Sequence, residues 1–570
     1  MVWLSAGEAN LWVQFFSYYL TAAAVGLFLF FVSKHPAVWG FFRTAGRGHR
    51  LGIAVVLVCS AFLHVHSPHT YFVEFDESGL TATSLLMHEK RQAAMPTKAY
   101  YLNGQMNYFD PYVGKRPVLY PFLLSVVHDL TGYRPANSFV VNALAGLLLL
   151  GGIYALLARW YGRRYGILGV LLLMTLPLLA QNATGGGFDL LNIALLVLVL
   201  NLGTNFVRQS HALNFNLFVF GLILLAQARY ESILFLIAGA VVILLVWNRE
   251  GKIWLPKSVV PAPLLLISPM LSIRVFTSFE EHKQLQDGVE HFFHVSNVSG
   301  NFELAIYYFF QINSTTTNSF FLSVVGAIAL SFCFLLLLTK GIRFIRRPNA
   351  LTVFFPFLLF VLFNTVWALT NFWGQFTDPV VARITLPIYV FAAIGCGVAA
   401  KEFFGLRPLP VWILWGVGIW ALVFSQPAIS RSYIKYDHLG SRTPAVGTRF
   451  AREVGTAEDL YIGPSTLPFI VHERATVAGA LAQFKPAYLI RSQEIGFFDE
   501  IYVILEMKRV APGEFVARRH DPLFDIYDME LLHEERFRVN IFTRIYRITG
   551  LKPGISAWDE LERLRNLPVP

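Results

Sequence analysis

Three carboxylates, Glu74, Asp76 and Glu77, stand together at the head of a polar interval that runs from Tyr71 to Pro121. The interval closes on two adjacent cations, Lys115 and Arg116, ahead of Pro117. A carboxylate that takes a proton and cations that hold a phosphate, carried on one loop against a membrane face, are the parts needed to move a group off a lipid phosphate. Burial near a low-dielectric surface raises a carboxylate's proton affinity, as a base requires. Each residue also has a plainer use. One acid would cap a helix beginning near Ser78, and the cations would be interfacial anchors whose stems lie along the bilayer. Capping accounts for one acid of the three.

Further along, Asp189 follows Thr184-Gly185-Gly186-Gly187-Phe188 at the mouth of an apolar run. It reads either as a helix cap beside a glycine turn or as an acid facing a cavity, with the glycines letting a ligand approach the backbone. Arg229 and Glu231 interrupt apolar sequence from Leu217 to Leu245. Ionisable groups at membrane depth are rare and face a cavity or each other, although an interfacial turn would place them too. Arg383, after Asp378, poses the same choice, and Tyr120 is a further candidate for substrate contact. Histidines raise a metal hypothesis: His64, His66 and His69 end one apolar run, and His282, His291 and His294 lie among Glu280, Glu281 and Glu290. His64 and His66 do not share a helix face, whereas His291 and His294 do. Polar loop histidines are commoner than ligands, so no metal site is assigned.

The elements that must position these residues are membrane spans. The chain has 570 residues, of which 55% are hydrophobic and 14% charged, too apolar for a soluble domain of this size. Its net charge of +10 does not point to nucleic acid, because the basic residues sit between apolar runs rather than in one aromatic-laced domain. Cys59, Cys333 and Cys396 all fall inside apolar runs and read as packing residues. The N-terminus lacks a basic segment and a clear cleavage motif, so the first apolar run is expected to stay as a span. At about 20 apolar residues per span, about twelve spans are expected, beginning near residues 12, 51, 136, 165, 189, 213, 231, 258, 318, 350, 383 and 409. Residues 213–248 read as two short spans or one broken helix.

Basic loops carrying Lys34 and Arg50, Arg159 to Arg164, Arg249 to Lys257, Lys340 and Arg343, and Lys401 and Arg407 alternate with acidic or neutral ones. The basic loops are therefore read as cytoplasmic. Every candidate for chemistry then falls outside, together with the 68–116 loop, the 277–317 loop and the sequons at Asn182, Asn297 and Asn313. Lys115 and Arg116 lie on the side where that bias normally leaves few cations. Leu80 to Met95 and Val118 to Leu130 read as helices lying in the interface. Past residue 430 the composition becomes that of a small α/β domain, with strands expected at Asp459 to Gly463 and Asp499 to Glu506, a short helix at Thr476 to Phe484 and a strand pair at Arg538 to Ile548.

The run FDE at 75–77, GKRPVLYPFLLSVVHDLTG at 114–132, RWYGRRYGILGVLLLMTLPLL at 159–179 and GGFDLLN at 186–192 resembles the GT-C superfamily of membrane glycosyltransferases. The similarity is nearest to the branch holding protein O-mannosyltransferases and the aminoarabinose transferase of lipid A. It covers about residues 51–250 and returns loosely in the C-terminal domain. It implies a polytopic α-helical membrane fold with a catalytic domain over 1–429 and a soluble α/β periplasmic domain over 430–570. It further implies Asp76 as catalytic base with Glu77 beside it, and Lys115 or Arg116 on the phosphate of a polyprenyl-phosphate-sugar donor. Arg229 and Arg383 would also hold that phosphate, with Asp189, Glu231 and Tyr120 near substrate. Two departures are an extra span before the usual first one and a Lys-Arg pair where relatives have a single lysine.

The implied reaction is an inverting sugar transfer to an acceptor hydroxyl of a protein, lipid or glycan, at a bacterial plasma membrane. The lipid-linked sugar is the co-substrate; no other cofactor is required, a divalent metal has no supporting ligand set, and nucleic acid is not a partner. Two other readings stand beside it. A multi-span transporter or flippase would show internal repeats and ionisable groups at mid-bilayer. An acceptor-recruiting protein without activity would keep its function when Asp76 is neutralised.

Overall fold

The computed structural model describes residues 4–36, 48–287, 293–312, 316–346, 350–405, 407–425, 439–511, 513–517 and 522–555. Glu290, His291 and Asn313 lie outside these. Among the described residues, eight helices are long and apolar enough to cross a membrane. A bent pair makes a ninth, and Arg50–Val65, Ala212–Ala226 and Val411–Ser425 are shorter apolar helices. Each expected span start falls inside one of these elements or within two residues of its first residue.

One expected span is not straight. Helices Arg163–Leu173 and Pro177–Ala183 meet at 82°. Pro177 has no N–H to give and disfavours helical backbone at the residue before it, and Leu176 is accordingly extended. Residues 213–248 resolve into helix Ala212–Ala226 and a span from Tyr230 to Glu250, separated by an extended Arg229.

Helix Asp189–Arg208 is the axis of the bundle, with 89% of its apolar window buried. Small residues bring its neighbours close: a Cβ on Gly203 would come 2.9 Å from the Phe218 ring and 3.0 Å from Val353. Cys333 and Cys396 are buried and unpaired, as packing residues should be.

Helix Glu74–Lys90 begins earlier than the interfacial helix expected from Leu80. Its N-cap position is Val73 without a side-chain hydrogen bond, so neither acid acts as the cap; Asp76 and Glu77 occupy the first turn, where negative charge suits the helix dipole. It is also enclosed rather than laid on a surface. Leu85, Leu86 and Met87 share one buried cluster with Phe122 of helix Leu119–Thr131 and with Ile470 and Val471 of helix Leu467–Val471. The Tyr133 hydroxyl donates to the Val471 carbonyl at 2.8 Å across the same junction. Between the first two helices, His128 is a satisfied core residue, 3.1 Å from Ser84 Oγ and 2.8 Å from Asn137 Nδ2.

A single sheet runs in the order β2-β1-β4-β3-β5-β8-β7, with β6 paired to β5. Six of its strands are C-terminal: β3 Leu460–Gly463, β4 Ala475–Ala478, β5 Ile501–Ala511, β6 Glu514–Ala517, β7 Tyr527–Arg538 and β8 Ile541–Leu551. The other two, β1 Lys98–Leu102 and β2 Gln105–Phe109, are a hairpin of the first polar loop. Its turn is Asn103-Gly104 with φ of 52° and 79°, the backbone that a tight hairpin turn demands. β1 joins the C-terminal strands antiparallel through Ala99 and Thr476. The short helix expected at Thr476 to Phe484 is therefore half strand: Ala-Thr-Val-Ala extends into the sheet and only Gly479–Phe484 is helical. β3 pairs in parallel with both β4 and β5, so a helical crossover separates each pair.

Helices Phe320–Arg346 and Leu386–Phe404 touch at Gly326, where an added Cβ would lie 2.5 Å from the Ala392 Cβ. Ala392 has no rotatable side chain to move aside, so Gly326→Val should force the helices apart. The expected cost is about 1–3 kcal/mol, read as a lower melting temperature of the detergent-solubilised protein; an unchanged value would show that the helices separate freely.

Candidate active site

Ends of separate segments converge on one buried chain of alternating charges. Arg116, from the loop before helix Leu119–Thr131, forms a close ion pair with Asp76 Oδ1. Arg383 donates through Nη2 to Asp76 Oδ2 at 2.8 Å and through Nη1 to Asp189 Oδ2 at 3.0 Å. Arg229 pairs closely with Asp189 Oδ1, and its Nε lies 2.6 Å from Glu231 Oε1. Three arginines thus alternate with three acids, and the charges balance. Such balance is what a low-dielectric interior requires, because removing one member would leave a buried charge uncompensated.

Local structure places each member. Asp76 stands in the first turn of its helix and Asp189 is the first residue of helix Asp189–Arg208, behind an uncapped Phe188. Asp189 is therefore not an N-cap; its carboxylate is spent on the two arginines. Arg229 is the extended residue between two helices, and Arg383 opens a 3-10 turn whose preceding short helix is capped by Asp378. Its Nε is fixed on the Val380 carbonyl at 2.9 Å.

Of the two aspartates, Asp76 is the one that a ligand can reach: its side chain is 14% exposed, against 1% for Asp189. It also borders a cavity of about 170 Å³ that Lys115 and Arg116 help to line. Burial pushes the Asp76 carboxyl up, but Arg116 and Arg383 beside it more than cancel this and hold it well below the usual carboxylate range. The raised proton affinity expected of the base is found instead on its neighbour. Glu77 is buried, and desolvation pushes its carboxyl up to about 7 against the opposing pull of backbone N–H groups. Its Oε2 accepts from Gly186 N at 2.8 Å and Phe72 N at 2.9 Å.

Those bonds explain the glycine run. A Cβ on Gly185 or Gly187 would lie 3.2 or 3.3 Å from Glu77 Oε1, and one on Gly186 would lie 2.6 Å from the Tyr71 ring. The close approach is made by Glu77 and Tyr71, not by an open ligand face. Tyr120 also departs from expectation: it is completely buried with its hydroxyl on the Ser138 carbonyl, and so presents no surface to substrate. Of the adjacent cations, Arg116 pairs with Asp76, while Lys115 Nζ lies 5.8 Å from the centroid of Phe276, which stacks on Tyr230.

Arg274 was not among the sequence candidates, although an arginine inside an apolar span is the same signal that marked Arg229. It lies in helix Ile267–Asp287, and its buried Nε has no hydrogen-bond partner among the described residues. His291 lies outside the described residues. His64 and His69 stack at 5.6 Å, His294 Nδ1 is 2.7 Å from Ser296 Oγ, and among the described residues no group of three or more His, Cys, Asp or Glu could hold an ion.

With this geometry in hand, residues 115–273 match the dolichyl-phosphate-mannose-protein mannosyltransferase family. Over that segment the chain is similar to a family of mannosyltransferases. The matched segment begins at Lys115 and contains Arg116, Asp189, Arg229 and Glu231; Asp76 and Arg383 lie outside it. The chain is also similar to crystal structures of ArnT from Cupriavidus metallidurans in the apo state and bound to undecaprenyl phosphate, each at 14% identity and a TM-score of 0.47. These alignments cover 87% of this chain and 97% and 98% of those chains. No curated protein matches the sequence.

Glu77 gives the protein a pH signature. Its folded value of about 7 lies above the ordinary 4.5, so the unfolded chain ionises first as pH rises. The stabilisation is complete below pH 4.5 and is lost as pH climbs through about 7, on the order of 3 kcal/mol in all. Glu77→Gln keeps the acceptor for both N–H groups and lacks this titration. The melting temperature of the variant minus that of the parent should therefore rise between pH 5 and 7.5; a flat difference would place Glu77 in a wetter setting.

Proposed function

We propose that the protein is an inverting glycosyltransferase that moves a sugar from a polyprenyl-phosphate carrier to a hydroxyl of a protein, lipid or glycan acceptor. The exterior face of a bacterial plasma membrane is the proposed place of reaction. Residues 1–429 would form the catalytic membrane domain and 430–570 a periplasmic one. The observation that carries this reading is the Asp76 carboxylate, with each oxygen on a different arginine at the wall of a cavity. A carboxylate and a phosphate compete for the same guanidinium geometry.

In the resting protein Asp76 is a weak base, because Arg116 and Arg383 stabilise its charge. An arriving donor phosphate offers those arginines a second anion. As they turn to it, Asp76 loses its counter-ions in a desolvated setting and its proton affinity rises. Its carboxylate then takes the acceptor's hydroxyl proton while that oxygen bonds the anomeric carbon. The bond from that carbon to the phosphate oxygen breaks with its electron pair on the polyprenyl phosphate, whose charge Lys115, Arg116 and Arg383 hold. One displacement inverts the centre, and the stable leaving group needs no separate acid. Asp189, Arg229 and Glu231 act from behind: Asp189 keeps one end of Arg383 in place while the other exchanges anions.

Asp76→Asn separates this scheme from a structural role. The variant should lose transfer by at least about 100-fold, measured by mass spectrometry of lipid-linked sugar consumed. It should also bind polyprenyl phosphate about tenfold tighter than the parent, because the competing carboxylate is gone. Unchanged or weaker phosphate binding, with folding intact, would rule out the exchange.

A further inference from the structure

The cavity beside Asp76 exists because of what one helix face lacks. Asp76, Gly79 and Thr83 follow one another at helical spacing on helix Glu74–Lys90, and all three line the cavity. A Cβ at Gly79 would already touch Met95 and Leu467, at 3.6 and 3.7 Å. Opposite, Met95 enters from a backbone that is pinned: Met95 N donates to the Tyr112 carbonyl and Tyr112 N to the Met95 carbonyl, both at 2.8 Å. Its thioether lies between two glycines, with a Cβ on Gly79 3.6 Å from Sδ and a Cβ on Gly114 3.6 Å from Cε. Val13 of helix Ala6–Lys34 lines the cavity as well, so the extra N-terminal span contributes to its wall.

We propose that this cavity seats the transferred sugar of the donor, and that Met95, Gly79 and Gly114 limit it to one unsubstituted pentose or hexose ring. The inference rests on the donor reading above and goes past it to the size of the sugar. Lys115 and Arg116 line the cavity together with Asp76, so a phosphate held by the cations puts its anomeric carbon beside the carboxylate and directs the ring towards Thr83 and Met95. A volume of about 170 Å³ is below the range of pockets for drug-sized ligands, which suits a single ring. An acetamido group in place of a hydroxyl adds three heavy atoms, and those atoms would have to displace the Met95 thioether. Thr83 already donates its hydroxyl proton to the Gly79 carbonyl at 2.8 Å, so it meets a sugar hydroxyl as an acceptor.

The glycines allow a test that spares the fold. A methyl at Gly79 or Gly114 meets its neighbours at ordinary contact distance, and neither glycine has positive φ, so alanine fits both backbones. The full-length protein in detergent would be titrated with polyprenyl phosphate alone and with its pentosyl, hexosyl and 2-acetamidohexosyl derivatives, by displacement of a fluorescent polyprenyl phosphate. The parent should bind the pentosyl and hexosyl lipids at least about tenfold tighter than the 2-acetamidohexosyl lipid. Met95→Ala should erase that difference. Gly79→Ala and Gly114→Ala should weaken the hexosyl lipid several-fold and leave polyprenyl phosphate unchanged. Equal binding of all three sugars by the parent, with polyprenyl phosphate still bound, would overturn the size limit alone. Failure to bind polyprenyl phosphate at all would overturn the donor reading and this inference with it.

Discussion

One guanidinium, that of Arg383, touches two carboxylates that the chain brings from positions 76 and 189, and the rest of the site follows from that bridge. A charge in a low-dielectric interior must be matched where it stands. Arg383 is matched by two acids, each acid needs more than half an arginine, and the remainder is supplied by Arg116 on one side and Arg229 on the other. The array therefore extends until it reaches groups that water can share. At one end that group is Glu231, with a side chain 22% exposed, and at the other it is Arg116, at 21%. The interior of the array is fixed and its ends are exchangeable, which suits a place where an anionic ligand comes and goes.

The neighbouring carboxyls divide the labour. Asp76 faces the arginines and remains ionised, while Glu77, one residue on, points to the other side of the same helix turn and fastens it to the backbone at Gly186. The loop so fastened leads directly into Asp189. Through Glu77, the helix that carries Asp76 and the helix that begins with Asp189 are thus set at one spacing, and Arg383 fits across it.

The charged members of the array could be read in the sequence because charge stands out where apolar residues are the rule. Asp76, Arg116, Asp189, Arg229, Glu231 and Arg383 each interrupt or border an apolar run, and no local structure accounts for all of them. Their pairing was not readable, since sequence spacing says nothing about which span ends meet. The same limit left Lys115 and Arg116 undivided, and put the raised proton affinity on Asp76, where the arginines cancel it, rather than on Glu77, where burial produces it. Other misses had a local sign. Asn103-Gly104 between Tyr-rich runs is a hairpin signal, and Pro177 inside an expected span marks the 82° bend. Tyr120 drew attention through its motif, and burial decided otherwise. The partner of the hairpin had no sign at all, because β1 pairs with a strand more than 370 residues away.

That pairing has a consequence for biogenesis. A ribosome releases Ala99 long before it makes Thr476, so the edge of the hairpin stays open through the insertion of every later span. Helix Glu74–Lys90 likewise waits for residues 467–471 to cover its outer side. The surroundings of the helix that carries Asp76 are thus completed only once residues 467–476 have been made.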